Sequence, residues 1–247
     1  MVFVTATMNN GLLPYWGLST VCSSLGFLQP VYTISYGYGL SMLAQSAYRF
    51  WNKDSIDTIG KIHLGLVGLY GVRMVSFLLW RSSLKSYKAY QERDSTKKRR
   101  EKIHKTSQVV GMVLGCSALY VGMFVPAFFN SMEKDSMMSG DIPNAMSIVG
   151  LGVATIGLAL EGGYDVINQL DFERNFVQSP STRRPYRVNY NYIGEALFWI
   201  GGFLGATRTF TGPLKFLGAL PAVAGIAAGM FSEGVGRYKR RRAKKEQ

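Results

Sequence analysis

No Lys, Arg, Asp or Glu occurs between Met1 and Tyr48, a run that a water-soluble domain rarely tolerates because its surface needs charge. The remainder of the 247-residue chain alternates apolar blocks with basic connectors. Apolar residues make up 47% of it, yet the mean hydropathy is only +0.07, so apolar and charged residues are segregated along the chain. Segregation of this kind predicts an all-α, polytopic membrane helical bundle, since a helix satisfies its own backbone in lipid. About six transmembrane helices, within a range of about five to seven, are expected from the apolar blocks. They form a single membrane domain over residues 1–247.

The spans are expected at 30–50, 59–80, 107–129, 145–160, 190–206 and 213–231. The block 12–27 is short and broken by Pro14, Gly and Ser, so a span, a re-entrant piece and an interfacial helix all remain open. Arg49, Trp51 and Lys53 close the first span as interfacial anchors. Pro126 lies near the end of the third, where a helix breaks cheaply. The fourth runs on into a polar helix end, Glu161, Asp165, Asn168, Gln169 and Asp171. If spans three to six all cross, the basic loop 81–105, the 161–189 loop and the basic tail 232–247 share one side. By the bias of Lys and Arg toward the cytosol, that side is cytosolic or its organellar equivalent. The expected location is an integral, multi-pass position in the endoplasmic reticulum or another organellar membrane. A cleaved leader is not expected, because no basic stretch precedes the first apolar block.

The net charge of +13 invites nucleic acid as a partner, but the basic residues sit beside apolar spans and at the tail, so membrane lipids are the expected partners and nucleic acid is not. Cys22 and Cys116 lie in apolar surroundings and read as small buried hydrophobes. Two histidines, His63 and His104, are too few for a histidine metal site or a convincing triad, and no metal is expected.

Two places carry chemistry. Arg73 lies more than two turns from either end of its span and needs a partner or a polar cavity, although snorkelling from a tilted helix stays open. His63, nearer the start of that span, reads first as a polar residue at the membrane surface. The run Tyr190-Asn191-Tyr192-Ile193-Gly194-Glu195-Ala196-Leu197-Phe198-Trp199 sets an amide, a phenol and a carboxylate at the mouth of an apolar block. Glu195 there is either turned toward a protein interior or cavity, or is a first-turn carboxylate favoured by the helix dipole.

The order of Glu161-Gly-Gly-Tyr-Asp165, Asn168-Gln169 and Phe172, a basic loop, then Tyr186-Arg187 and Asn191-Tyr192-Ile193-Gly194-Glu195 with Trp199 resembles the C-terminal domain of the steroid 5α-reductase-like family, in its uncharacterised membrane-protein branch. Leu69-Tyr70-Gly71-Val72-Arg73 and Leu78-Leu79-Trp80-Arg81 look like arginine anchors of that family's earlier helices, so the resemblance covers about 27–240. It implies an oxidoreductase that reduces an activated carbon–carbon double bond in an apolar lipid or sterol-like substrate, with NADPH bound at the cytosolic face. Under it, Asn191 and Glu195 hold the cofactor's amide and sugar with Tyr192 beside them, and Asp165 sits near the adenosine half. Arg174, Arg184 and Arg187 are candidates for the phosphates, with Arg73 as a further cofactor contact. The family's tyrosine–carboxylate pair comes from its early helices; here Tyr36 and Tyr38 are the candidate catalytic phenols, but no carboxylate precedes Asp54, and an aromatic interfacial belt is the alternative for them. Asn189-Tyr190 stands where that family has His-Pro, and the chain runs out in Lys and Arg where active members continue with a segment covering the cofactor. These departures leave a non-catalytic membrane scaffold or lipid-binding protein open, and, less favoured, a membrane methyltransferase on a related helical scaffold.

Overall fold

A computed structural model describes residues 11–52, 55–92, 106–132, 141–178 and 190–225, and all regular structure among them is helical. The elements are α1 (Leu13–Ser23), α2 (Tyr38–Trp51), α3 (Thr58–Ser83), α4 (Lys85–Glu92), α5 (Thr106–Asn130), α6 (Asp141–Gln178), α7 (Tyr190–Gly205) and α8 (Pro213–Ala219). Three helices are long and apolar enough to cross a membrane, at Thr58–Ser83, Thr106–Asn130 and Ile142–Asn175, which marks the chain as a membrane protein.

The expected span 30–50 is not one uniform helix. It begins with a turn at Pro30–Tyr32, passes through a π-helical turn at Thr33–Gly37 and becomes regular α-helix only at Tyr38. A residue inserted into a helix rotates every later side chain about the axis, and here α2 turns Tyr38, Met42 and Gln45 into the core, all buried. Gly37 is needed at this join: a Cβ there would lie 3.1 Å from the Ser23 Cα. The block 12–27 forms only the 11-residue α1 and a 3-10 turn, Ser24–Phe27. Its Tyr15 is buried against Tyr48, Phe124 and Phe128.

Helix α3 starts where Asp57 caps it, the carboxylate accepting from the Gly60 amide at 3.0 Å, which satisfies one of the orphan donors of the first turn. Helix α5 runs through Pro126 to Asn130 without breaking there. Pro126 is packed among Phe124, Phe128 and Phe129, all buried, and that packing offsets the backbone bond the proline cannot make. Helix α6 has 38 residues, about 57 Å at 1.5 Å per residue. That exceeds the ~30 Å hydrocarbon core, so the helix carries its polar end well past any one leaflet.

Helices α6 and α7 pack more closely than any other pair, through glycine on both sides. A Cβ at Gly150 would fall 2.4 Å from the Gly205 N, one at Gly157 2.4 Å from the Phe198 N, one at Gly194 2.4 Å from the Glu161 N and one at Gly201 2.4 Å from the Ala154 N. Small residues let helices touch backbone to backbone where water cannot drive them together. This seam fixes how the polar end of α6 meets the first turn of α7, and there the polar residues of both helices converge.

Candidate functional site

Where α3, α6 and α7 meet, a guanidinium and three carboxylates share one interior space. Arg73 Nη2 donates to Glu161 Oε1 at 2.5 Å and Nη1 donates to Asp165 Oδ2 at 2.7 Å. One turn before Arg73, the Tyr70 hydroxyl lies 3.5 Å from Glu161 Oε1 and 3.3 Å from Glu195 Oε1. Asn191 Nδ2 donates to Asp165 Oδ1 at 3.2 Å. The positions arise from helical spacing: Tyr70 and Arg73 are i, i+3, Glu161 and Asp165 are i, i+4, and Asn191 and Glu195 are i, i+4, so each pair occupies one face. Gly162 leaves room for the arginine stem, since a Cβ there would lie 3.1 Å from Arg73 Cδ. Arg73 therefore finds protein partners and does not snorkel.

Aromatic rings wall the cluster on its deeper side. The Tyr70 ring stacks on Phe198 at 4.6 Å and meets Trp199 at 5.5 Å. Tyr38 lies 5.5 Å from Tyr70 and stacks on Tyr120 at 5.0 Å. Glu161 is 6% exposed. Four buried polar atoms here have no partner: Glu161 Oε2, Tyr38 Oη, Asn191 Oδ1 and Trp199 Nε1. Buried polar atoms are paired in the great majority of cases, so four orphans in one place mark a site suited to a ligand with both donors and acceptors.

Of the residues expected to form a site, Arg73, Asp165, Asn191 and Glu195 come together, and Tyr38 joins them. Tyr192 is half-buried beside Asn191. Tyr36 does not join; it packs edge-on against Tyr32 at 5.3 Å. Arg174 is exposed toward the end of α6, away from the cluster, and Arg184 and Arg187 lie outside the described residues. Two members carry no mark in the sequence as site residues. Tyr70 sits among apolar residues and gives no signal by itself, although its i, i+3 spacing to an internal arginine is a usable clue. Glu161 belongs to the polar helix end but has no distinct role there, because only the register of α6 against α3 selects it over Asp171.

A second buried network lies at the opposite end of α3. Arg208, in the 3-10 turn Thr207–Thr209, holds Asp57 with both terminal nitrogens at 2.6 and 2.7 Å and donates from Nε to Asn130 Oδ1 at 2.6 Å. Asn130 Nδ2 bonds His63 Nδ1 at 3.1 Å and the Gly205 carbonyl at 2.9 Å. His63 is thus not a surface residue: it is 2% exposed, turned inward by this amide. Between the two networks is a cavity of about 10 Å3, lined by His63, Val67, Met123, Pro126, Trp199 and Gly202 among others, large enough for about one water. Asp57 and Arg208 are 151 residues apart, which ties the start of α3 to the end of α7.

Among the described residues no group of three or more His, Cys, Asp or Glu is arranged to hold a metal ion. No curated protein and no solved structure matches the chain. A family match covers residues 28–247, nearly the whole chain and both networks, and by it the protein belongs to the family described as Protein of unknown function (DUF1295).

Proposed function

We propose that this protein is an integral-membrane oxidoreductase, similar to steroid 5α-reductases, that uses NADPH to reduce a carbon–carbon double bond conjugated to a carbonyl in a lipid or sterol-like substrate. The observation that carries the reading is the Tyr70 hydroxyl, set 3.5 and 3.3 Å from two carboxyl groups. Both contacts are long for a bond of this type, which prefers about 2.7–2.8 Å. The hydroxyl is therefore committed to neither carboxyl and is free to turn toward a substrate oxygen. The residues also suit the cofactor: Asn191 Oδ1, buried without a partner, is an acceptor for a carboxamide N–H.

NADPH, when bound, supplies a hydride to the double-bond carbon remote from the carbonyl. The chain's own residues manage the charge and the proton. Tyr70 donates to the enolate oxygen that develops as the hydride arrives, the kind of contact that is worth most where charge appears in the transition state. Glu161 and Glu195 flank the phenol and pass it the proton that ends on the neighbouring carbon, so one hydride and one proton are added in all. Arg73 fixes Glu161 and Asp165, and Asp165 in turn orients Asn191. The apolar substrate would approach from the bilayer past Trp199 and Tyr38. This assigns the phenol–carboxylate pairing to α3, α6 and α7 instead of the early helices, which supply no carboxylate.

A second reading, a non-catalytic membrane scaffold that kept the fold, is favoured by one observation: both terminal nitrogens of Arg73 are already engaged by Glu161 and Asp165, a closure that needs no ligand. Fluorescence titration of NADPH into the detergent-purified protein separates the two. Saturable binding that is lost in Asn191→Ala and Glu195→Gln supports the reductase; absence of binding by the unaltered protein leaves the scaffold.

A further inference from the structure

Arg81 closes α3 directly after Leu79 and Trp80, both exposed on its surface. Its guanidinium carbon lies 5.5 Å from the Phe77 ring centroid and 4.9 Å from that of Tyr87, and its Nε is buried without a partner. The other arginines of the bundle are occupied. Arg73 and Arg208 hold carboxylates, and Arg49 donates to Ser131 Oγ and O. Among the described residues no carboxylate lies within ion-pair distance of Arg81.

The holder of Arg81 is itself held. Helix α4 begins after a break at Leu84, whose ψ is 133°, and docks on the far end of α6. Ser86 Oγ donates to Glu173 Oε1 at 3.0 Å, and Tyr90 meets Phe172 edge-on at 5.6 Å. This docking brings Tyr87 against the guanidinium. A guanidinium sandwiched by rings keeps its edge N–H groups in a plane, the arrangement that binds phosphate bidentately. Lys85 and Lys88 on α4 are exposed, and segment 81–105 carries ten Lys or Arg against three Asp or Glu.

We propose that Arg81, clamped between Phe77 and Tyr87, is a receptor for the phosphate of an anionic phospholipid headgroup. The position decides the source of the phosphate. Apolar residues of α3 are exposed up to Trp80, and an exposed tryptophan next to an arginine marks the level at which a helix leaves hydrocarbon for headgroups. Lys85 and Lys88 add the local positive potential that draws acidic lipid to that level. The site is separate from the Tyr70 cluster, two turns of α3 further on, and does not depend on the reductase reading.

The test uses the full-length protein in detergent, titrated with dihexanoyl phosphatidic acid, dihexanoyl phosphatidylcholine and inorganic phosphate, with binding read by thermophoresis. Phosphatidic acid binds saturably, phosphatidylcholine and inorganic phosphate bind at least tenfold more weakly, and Arg81→Gln lowers phosphatidic acid affinity tenfold or more. Equal binding of phosphatidylcholine, or an unchanged affinity in Arg81→Gln, overturns the proposal. Inorganic phosphate binding as tightly as the lipid overturns it in favour of a soluble ligand. Should Arg81→Gln fail to fold, Tyr87→Leu decides: it keeps the charge but removes a ring of the clamp, and affinity for phosphatidic acid must still fall.

Discussion

Gly201→Ala adds one methyl group to the α6–α7 seam, and its cost can be worked from the contacts. The new Cβ would lie 2.4 Å from the Ala154 N and 2.6 Å from the Gly150 carbonyl oxygen. Both neighbours are backbone and cannot rotate aside, so the helices must separate by about 1 Å to restore van der Waals distance. Overpacking of this kind costs about 1–3 kcal/mol, and rigid neighbours put it at the upper end. Alanine returns at most about 1 kcal/mol through its helix propensity. The net loss is about 2 kcal/mol, or ~4–8 °C in melting temperature for a chain of this size. Gly152→Ala is the matched reference: on the partner helix of the same seam, its Cβ meets nothing within 4 Å, so it gains propensity without a clash. Thermal unfolding in detergent, monitored by circular dichroism, measures both. A Gly201→Ala protein that melts at or above the temperature of Gly152→Ala refutes the backbone-contact argument. The same variant should also weaken NADPH binding, because separation of the helices moves Glu195 away from Glu161.

Arg208→Ala strands the Asp57 carboxylate and Asn130 Oδ1 in the interior, a loss of about 3–5 kcal/mol; adding Asp57→Asn should return part of it, and thermal unfolding of the single and double variants reads the difference. Tyr70→Phe keeps the ring stacked on Phe198, so it should fold and bind NADPH normally while turnover falls by about 10²–10⁴-fold; unchanged turnover removes Tyr70 from the mechanism. Arg73→Gln should destabilise the protein more than the pair Arg73→Gln with Glu161→Gln, since the single change leaves Glu161 buried and unpaired. A double-mutant cycle on unfolding midpoints supplies the coupling.

Much of this arrangement is legible in the sequence because the membrane makes charge conspicuous. An arginine in the middle of an apolar span demands a partner, and the polar end of α6 is the nearest supply, so Arg73, Asp165, Asn191 and Glu195 stand out without any knowledge of their contacts. Tyr70 does not, because a tyrosine among apolar residues is as natural in a core as in a site, and only the facing carboxylates distinguish the two. The π-helical turn at Thr33–Gly37 is equally silent: local composition favours plain helix there, and the insertion is fixed by how Tyr38 must face Tyr120. His63 is misread for a related reason. Its distance from the end of the span suggests the surface, while the partner that turns it inward, Asn130, lies 67 residues away. The glycines of the α6–α7 seam are visible as composition, but which of them face the partner helix depends on a register that no single helix encodes.

Arginine can only donate, and that simple fact travels further through the protein than the Arg208–Asp57 pair suggests. Because Arg208 Nε points at Asn130, the amide oxygen must be the end that receives it. The amide nitrogen is then forced toward His63, where it gives one hydrogen to Nδ1 and the other to the Gly205 carbonyl. Nδ1 must be the bare nitrogen, and the imidazole proton is left on Nε2, on the side of Gly202 and the cavity. One cation at the edge of the bundle thus sets the orientation of every dipole in a chain that ends at its centre.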